Sequence, residues 1–315
     1  MVNLPFKSWP SRLNRYTLYG LIAILLWSTT VAVVRSLAEQ IGPLTAAALV
    51  YLVGGVLSCV FTGFLRHFKS RIRGLSRDYL WGCGVIFVLY TLALYLAVGL
   101  ATDRNQVLEV GLVNYLWPAL TLVFSLPILG KKARTSLIPG TLLALVGVYL
   151  VLTQGTLVSW SSLAKNFTKN PLAYTLALIA AVAWGLYSSL ARRWGGPRNG
   201  GAVPLFMLAT GGVLLVTRLF CTEPTLWSWR VAAEALFMSL ATVFAYVFWD
   251  MAMRRGDVVF VAACSYFIPL FSTLVSCLYL RISPGLSLWV GCGMIVLGSL
   301  ISWASVSDRD APQEG

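Results

Sequence analysis

Residues 107–129 read VLEVGLVNYLWPALTLVFSLPIL, and residues 258–280 read VVFVAACSYFIPLFSTLVSCLYL. Each stretch is apolar, has almost no charge, and carries a proline at the same place, Pro118 in one and Pro269 in the other. A helix needs about 20 mostly apolar residues to cross the hydrocarbon of a bilayer, and both stretches meet that length. They lie 151 residues apart. The same offset, without a gap, sets Tyr95 on Tyr246, Tyr115 on Tyr266, Ser125 on Ser276, Gly140 on Gly291 and Gly147 on Gly298. Apolar chains align easily by chance. Matched Pro and Gly carry more weight, because those residues shape the backbone. An offset of 157 pairs Trp27 with Trp184 and Arg35 with Arg192. The chain therefore reads as two copies of one unit.

Outward from these two stretches, eight more of the same kind appear. The ten cover residues 16–38, 43–65, 79–101, 107–129, 135–153, 171–191, 201–220, 232–253, 257–280 and 284–306. Only 11% of the chain is charged, against about a quarter in an ordinary soluble domain. Lipid is the solvent such a surface needs. The run from Tyr16 to Val34 is too long for the apolar core of a signal peptide and has no small-residue cleavage site. The fold class expected is an all-α polytopic membrane protein of ten transmembrane helices. Its repeats span 16–153 and 171–306, and an odd number of helices in each requires the second to be inverted. With the N-terminus inside, 17 of the Lys and Arg residues fall on inner segments and 7 on outer ones. That bias predicts both termini in the cytoplasm, and so a multi-pass protein of the bacterial inner membrane.

The net charge of +13 lies in short clusters between apolar runs, not on one polar face. This is a topology pattern and argues against nucleic acid as a partner. The six cysteines form no CxxC pair, and His67, the only histidine, sits in a basic loop. No metal site, Ser/His relay or cofactor is expected. No lysine lies mid-membrane. Inverted repeats are typical of secondary transporters, with the substrate site near the midplane between them.

A helical proline removes one backbone hydrogen bond and crowds the carbonyl four residues earlier. For Pro118 and Pro269 those carbonyls belong to Asn114 and Ser265, each followed by a tyrosine, Tyr115 or Tyr266. Each half thus offers a loosened backbone beside polar side chains, and the two prolines are candidate hinges. Aromatics are abundant: 12 Trp, 13 Tyr and 15 Phe. Trp81, Trp160, Trp227, Trp229 and Trp303 sit near helix ends, where aromatic belts form. Trp27, Tyr90, Trp117, Trp184, Tyr187, Tyr246 and Tyr266 lie deeper, either packing between helices or lining a cavity for a flat or cationic substrate. Glu109 lies about one turn into its stretch; it is either a coupling carboxylate or a helix-end anion favoured by the helix dipole. Asp250 and Asp257, flanking Arg254 and Arg255, read as solvated ion pairs at the inner face. Gly140 with Gly147, and Gly291 with Gly298, are spaced for close helix contact.

The run Glu109-Val-Gly-Leu-Val-Asn114-Tyr115-Leu-Trp117-Pro118, with Leu21-Ile-Ala-Ile-Leu-Leu-Trp27-Ser28-Thr29 in the first stretch, closely resembles the aromatic amino acid exporters (YddG-like) of the drug/metabolite transporter superfamily. The resemblance runs from about Tyr16 to Trp303, including Cys264-Ser265-Tyr266-Phe267-Ile268-Pro269, where the family's usual Gly is Cys264. It implies a duplicated EamA-type unit, export of Phe, Tyr and Trp, and a range that extends to the flat dication methyl viologen. It also implies a central cavity lined by the first, third, fourth, sixth, eighth and ninth helices, with the fifth and tenth at the periphery. The substrate-binding set expected is Trp27, Tyr90, Asn114, Tyr115, Trp117, Trp184, Tyr187, Tyr246, Ser265 and Tyr266, with an aromatic amino acid and the lipid bilayer as partners and a monomer as one working unit. The alternatives are a superfamily exporter of another amino acid, metabolite or organic cation, and a membrane enzyme or receptor.

Overall fold

The computed structural model describes residues 14–153, 159–196, 201–280 and 285–308. All ten apolar stretches are helical. They are α1 (Arg15–Ile41), α2 (Pro43–Phe61), α3 (Gly84–Leu100), α4a (Arg104–Asn114) with α4b (Trp117–Leu129), and α5 (Leu137–Leu152). The second half continues with α6 (Pro171–Trp194), α7 (Val203–Arg218), α8 (Trp229–Arg255), α9a (Val258–Cys264) with α9b (Phe267–Leu280), and α10 (Leu286–Ala304). A π-helical turn, Asp78–Cys83, leads into α3, and a short amphipathic helix, Trp160–Lys169, precedes α6.

Local chemistry sets the ends. The Asn14 side chain accepts from the backbone N–H of Tyr16 (3.0 Å) and Thr17 (2.9 Å) and so starts α1. Asp103, Ser228 and Asp257 start α4a, α8 and α9a in the same way. Proline fills an early position of α2, α6 and α7, where its missing N–H costs nothing. Gly42 turns the chain between α1 and α2 at φ 82°, a conformation that suits glycine.

Among the described residues, seven helices are long and apolar enough to cross a membrane, and eight if the bent α1 counts as one span. α5 and α7 are equally apolar but have only 16 residues each, about 24 Å at 1.5 Å per residue. The helices that contact one another exchange partners between the halves: α1 lies on α8 and α3 on α6, while α2 pairs with α7 and α5 with α10. Small residues make this close packing possible. A Cβ on Gly147 of α5 would stand 2.7 Å from the Gly291 carbonyl oxygen of α10, and one on Gly298 would stand 2.6 Å from the Gly140 oxygen. In lipid, where no hydrophobic force drives helices together, such backbone approach is what holds them.

One end of the bundle can be traced from contacts. Asn14 Nδ2 donates to the Arg255 carbonyl (3.1 Å). The strand β1 (Lys131–Ala133) pairs antiparallel with β2 (Val306–Asp308). The start of α1, the α8–α9 turn, the α4–α5 connection and the end of α10 thus share one end. The α1–α2 turn and the α3–α4 connection lie at the other. Trp81, Trp227 and Trp229 are exposed, as belt residues are. The side chain of Trp160, the segment 1–13 and residues Arg198, Arg281 and Arg309 lie outside those described.

Candidate substrate cavity

The fourth and ninth helices break at the same place in their repeats. α4a ends at Asn114 and α4b begins at Trp117; α9a ends at Cys264 and α9b begins at Phe267. In each case a proline follows at once, in the first turn of the new helix, where it needs no backbone partner. The carbonyl of Ser265 accepts from the Ile268 N–H (3.1 Å) in a tightened turn, so it is bonded despite Pro269.

A cavity of about 270 Å³ lies against the break in α4, close to the lower end of the size range of small-molecule sites, roughly 300–1,000 Å³. Its walls include Trp27 and Thr30 of α1, Tyr51 of α2, Tyr90, Thr91 and Tyr95 of α3, Asn114, Tyr115 and Trp117 of α4, Trp184 of α6, Thr242 and Tyr246 of α8, and Ile268 of α9. α5, α7 and α10 contribute nothing to it. Among the described residues, no Asp, Glu, Lys, Arg or His lines it. The lining reaches Val34, Ala38, Pro43 and Val98, so the cavity opens at the end that carries the α1–α2 turn.

The rings hold one another. Trp184 lies 4.5 Å from Tyr90, 5.5 Å from Tyr246 and 5.9 Å from Trp27 between centroids. Trp117 meets Trp184 edge-on at 6.4 Å. Such pairs contribute about 0.5–1.5 kcal/mol each beyond burial, so the cage is rigid without a ligand. The Tyr51 and Tyr246 hydroxyls share a 2.5 Å hydrogen bond across the floor, and Thr91 Oγ1 donates to Tyr51 at 3.4 Å. The Asn114 side-chain oxygen is buried with no hydrogen-bond partner, at the edge of the cavity. An unbonded buried acceptor is costly, and a ligand donor would satisfy it.

Seven of the ten residues singled out from the sequence line this space: Trp27, Tyr90, Asn114, Tyr115, Trp117, Trp184 and Tyr246. Three stand elsewhere. Tyr187 stacks beneath Trp184 (5.0 Å, 18°) and donates to Asp250 Oδ1 (3.1 Å). The Ser265 hydroxyl donates to the Val261 carbonyl of its own helix (2.9 Å). Tyr266 is fully buried against α5 and α10, with its hydroxyl beside Thr141 of α5 but in no close hydrogen bond among the described residues. Tyr51, Tyr95, Thr91 and Thr242 were not singled out. Tyr95 carried a signal, as the repeat mate of Tyr246; Tyr51 lies on the one lining helix beyond the expected six.

Glu109 is fully buried and off the cavity. Its carboxylate accepts from Ser162 Oγ (2.8 Å), Asn166 Nδ2 (3.1 Å) and the Tyr174 hydroxyl. It ties α4a to the amphipathic helix 160–169 and to α6.

The Asp250–Arg254 pair at the end of α8 is not solvated, which corrects the sequence reading for that pair, while Arg255 and Asp257 are half-buried. Asp250 is 1% and Arg254 4% exposed. Arg254 Nη1 donates to Asp250 Oδ2 at 3.2 Å, and Tyr79 donates to Asp250 Oδ1 at 2.7 Å. Arg254 Nη2 also donates to the Gly196 carbonyl (2.9 Å). Arg255 Nη1 donates to the Tyr16 hydroxyl (2.9 Å), and Asp257 caps α9a. An i,i+4 pair at a helix end resembles a surface pair in sequence; the covering groups come from α3, α6 and α7 and leave no local trace.

Comparison with known proteins covers most of the chain. The profile of the EamA-like transporter family matches twice, over residues 14–153 and 171–304. Similar proteins include the aromatic amino acid exporter YddG of Escherichia coli K12, 36% identical, covering 92% of this chain and 97% of that protein. The exporter of the same name from Salmonella typhimurium is 34% identical over 94% of this chain and 99% of its own, and that of Ancylobacter novellus is 31% identical over 91% and 96%. A solved crystal structure, 28% identical, superposes with a TM-score of 0.76 over 91% of this chain and 96% of the other. With two matches to one profile, long identity to transporters and a bundle of apolar spans, the chain belongs to the EamA-like transporter family of the drug/metabolite transporter superfamily, as a multi-pass protein of the bacterial inner membrane.

Proposed function

We propose that the protein exports aromatic amino acids, Phe, Tyr and Trp, through the cavity between its halves by alternating access. The observation that carries this reading is the cavity itself: aromatic rings on every side, an unbonded amide oxygen at its edge, and no charged side chain among the described residues that line it. A flat apolar side chain stacks on Trp117, Trp184 and Tyr90. The ammonium of a neutral zwitterion donates to Asn114 Oδ1 and lies against ring faces. A free charge of either sign finds no counter-ion there. The names of exporters similar to it over nearly the full length agree with this choice.

The same reading takes all ten helices as crossings, with α5 and α7 met by a locally thinned bilayer. The units are five-helix repeats, 16–153 and 171–306, inverted in the membrane with both termini inside. The cavity mouth then faces out. Reconstituted protein loaded with labelled Trp should release it, with Phe and Tyr competing. Release of another neutral metabolite, with Trp inert, would turn the assignment to a different substrate of the superfamily. A flat dication such as methyl viologen would rest on ring faces alone and is expected to compete weakly.

A further inference from the structure

We infer that the buried Asp250–Arg254 pair is the latch that keeps the second mouth of this transporter shut. The inference follows from placing one half of the chain on the other. The open mouth is walled by Thr30, Val34, Ala38 and Val98. Offsets of 157 for α1 on α6 and 151 for α3 on α8 carry these to Tyr187, Ala191, Gly195 and Trp249. Tyr187 and Ala191 lie on successive turns of α6 and Gly195 caps it, Trp249 of α8 donates to Ser188 of that helix (3.3 Å), and there the passage is filled. Ala191 and Trp249 have no exposed surface. A Cβ on Gly195 would strike Arg254 Cδ at 2.7 Å. Tyr187 donates to Asp250 where its mate, Thr30, faces open space.

The two residues of the latch have mates too. Asp250 corresponds to Gly99 and Arg254 to Asp103. Gly99 places no side chain at the open mouth, and Asp103 caps its own helix. Among the described residues, the positions matching Asp250 and Arg254 at the open mouth form no ion pair. The Asp250–Arg254 pair joins α8 to the π-helical turn that leads into α3 through Tyr79 (2.7 Å), to α6 through Tyr187 (3.1 Å), and to the segment before α7 through the Gly196 carbonyl (2.9 Å). Those are the helices related by the repeat to the four that wall the open mouth, α1, α2, α3 and α8. Removing one member of a buried pair leaves the other uncompensated, and hydrating it requires the mouth to part. The opening is thus coupled to breaking this one contact, as expected of a packed bistable interface.

Cys83 reports the event. It is fully buried at the start of α3, within electrostatic reach of Asp250 and Arg254. Its repeat mate, Glu234, lies one turn beyond Met238 at the open mouth. Cys59 on α2 is buried as well, at 3% exposure, without the electrostatic contact to Asp250 and Arg254 that Cys83 has, and serves as the internal control. Purified full-length protein in lipid nanodiscs is treated with a small water-soluble maleimide, and each cysteine is followed by peptide mass spectrometry. Asp250→Asn and Arg254→Gln should raise the rate at Cys83 at least tenfold and leave Cys59 unchanged. Tyr187→Phe keeps the ion pair and removes one donor; it should give a smaller rise, at least threefold, and serves if either charge variant fails to accumulate. Protection of Cys83 equal to that of the unaltered protein overturns the latch. A parallel rise at Cys59 overturns it too, since it marks general loosening. No substrate is needed, so the result stands apart from the assignment of aromatic amino acids.

Discussion

The break in α4 and the break in α9 occupy the same position in the two repeats, yet they face different surroundings. At the first, Asn114, Tyr115 and Trp117 turn toward the cavity. At the second, Ser265 bonds its own helix, Tyr266 packs between α5 and α10, and only Ile268 reaches the cavity wall. Duplication gave both halves the same backbone device. Side-chain divergence gave one half the recognition surface and left the other a packed support. The two ends of the bundle differ in the same sense: small residues leave one mouth open where a buried ion pair fills the other.

The sharpest way to break this comparison is to change matched positions in pairs. Asn114→Ala should weaken Trp transport by about 10–100-fold, the loss expected for one hydrogen bond to a charged donor. Ser265→Ala, its repeat mate, should stay within about twofold, since a hydroxyl bonded to its own helix contributes little. Initial rates in proteoliposomes decide this, and equal losses would remove the distinction between the halves. Trp117→Ala should raise the apparent Km by about tenfold, from lost stacking of about 1.4 kcal/mol. Ile268→Ala should do less.

The prolines test the breaks as moving parts. Pro118→Ala and Pro269→Ala restore helical continuity in opposite halves, so they should shift the balance of open mouths in opposite directions, by a few-fold each. Spin-label distances across each mouth would report it, and a shift of the same sign in both would make the prolines static. Glu109→Gln removes a charged acceptor held by Ser162, Asn166 and Tyr174. It should lower Tm by a few degrees and leave the pH profile of transport unaltered; loss of pH dependence would make Glu109 a coupling group. Tyr266→Phe should show the smallest effect, with stability nearly unchanged, because the hydroxyl it deletes makes no close hydrogen bond among the described residues.

The sequence made the spans legible because apolar length is a one-dimensional property. It made the breaks legible because Pro118 and Pro269 act on their own helices. The glycine seams of α5 and α10 followed from spacing alone. Side-chain direction past a break did not follow: two residues outside the helical register rotate what comes after, so Tyr115 and Tyr266 point to different places. The burial of Asp250 was equally hidden, since Tyr79 lies 171 positions away in the chain. Tyr51 was missed because its place at the cavity depends on how α2 leans on α8.

The central claim is that the aromatic cage is the transport site for aromatic amino acids. The direct measurement is release of labelled Trp from proteoliposomes, compared between the unaltered protein and Asn114→Ala, with unlabelled Phe, Lys and Asp as competitors. The account predicts release that Phe suppresses and the two charged amino acids do not, and that falls at least tenfold in the variant. Release equally suppressed by Lys or Asp, or unaltered by Asn114→Ala, would contradict it.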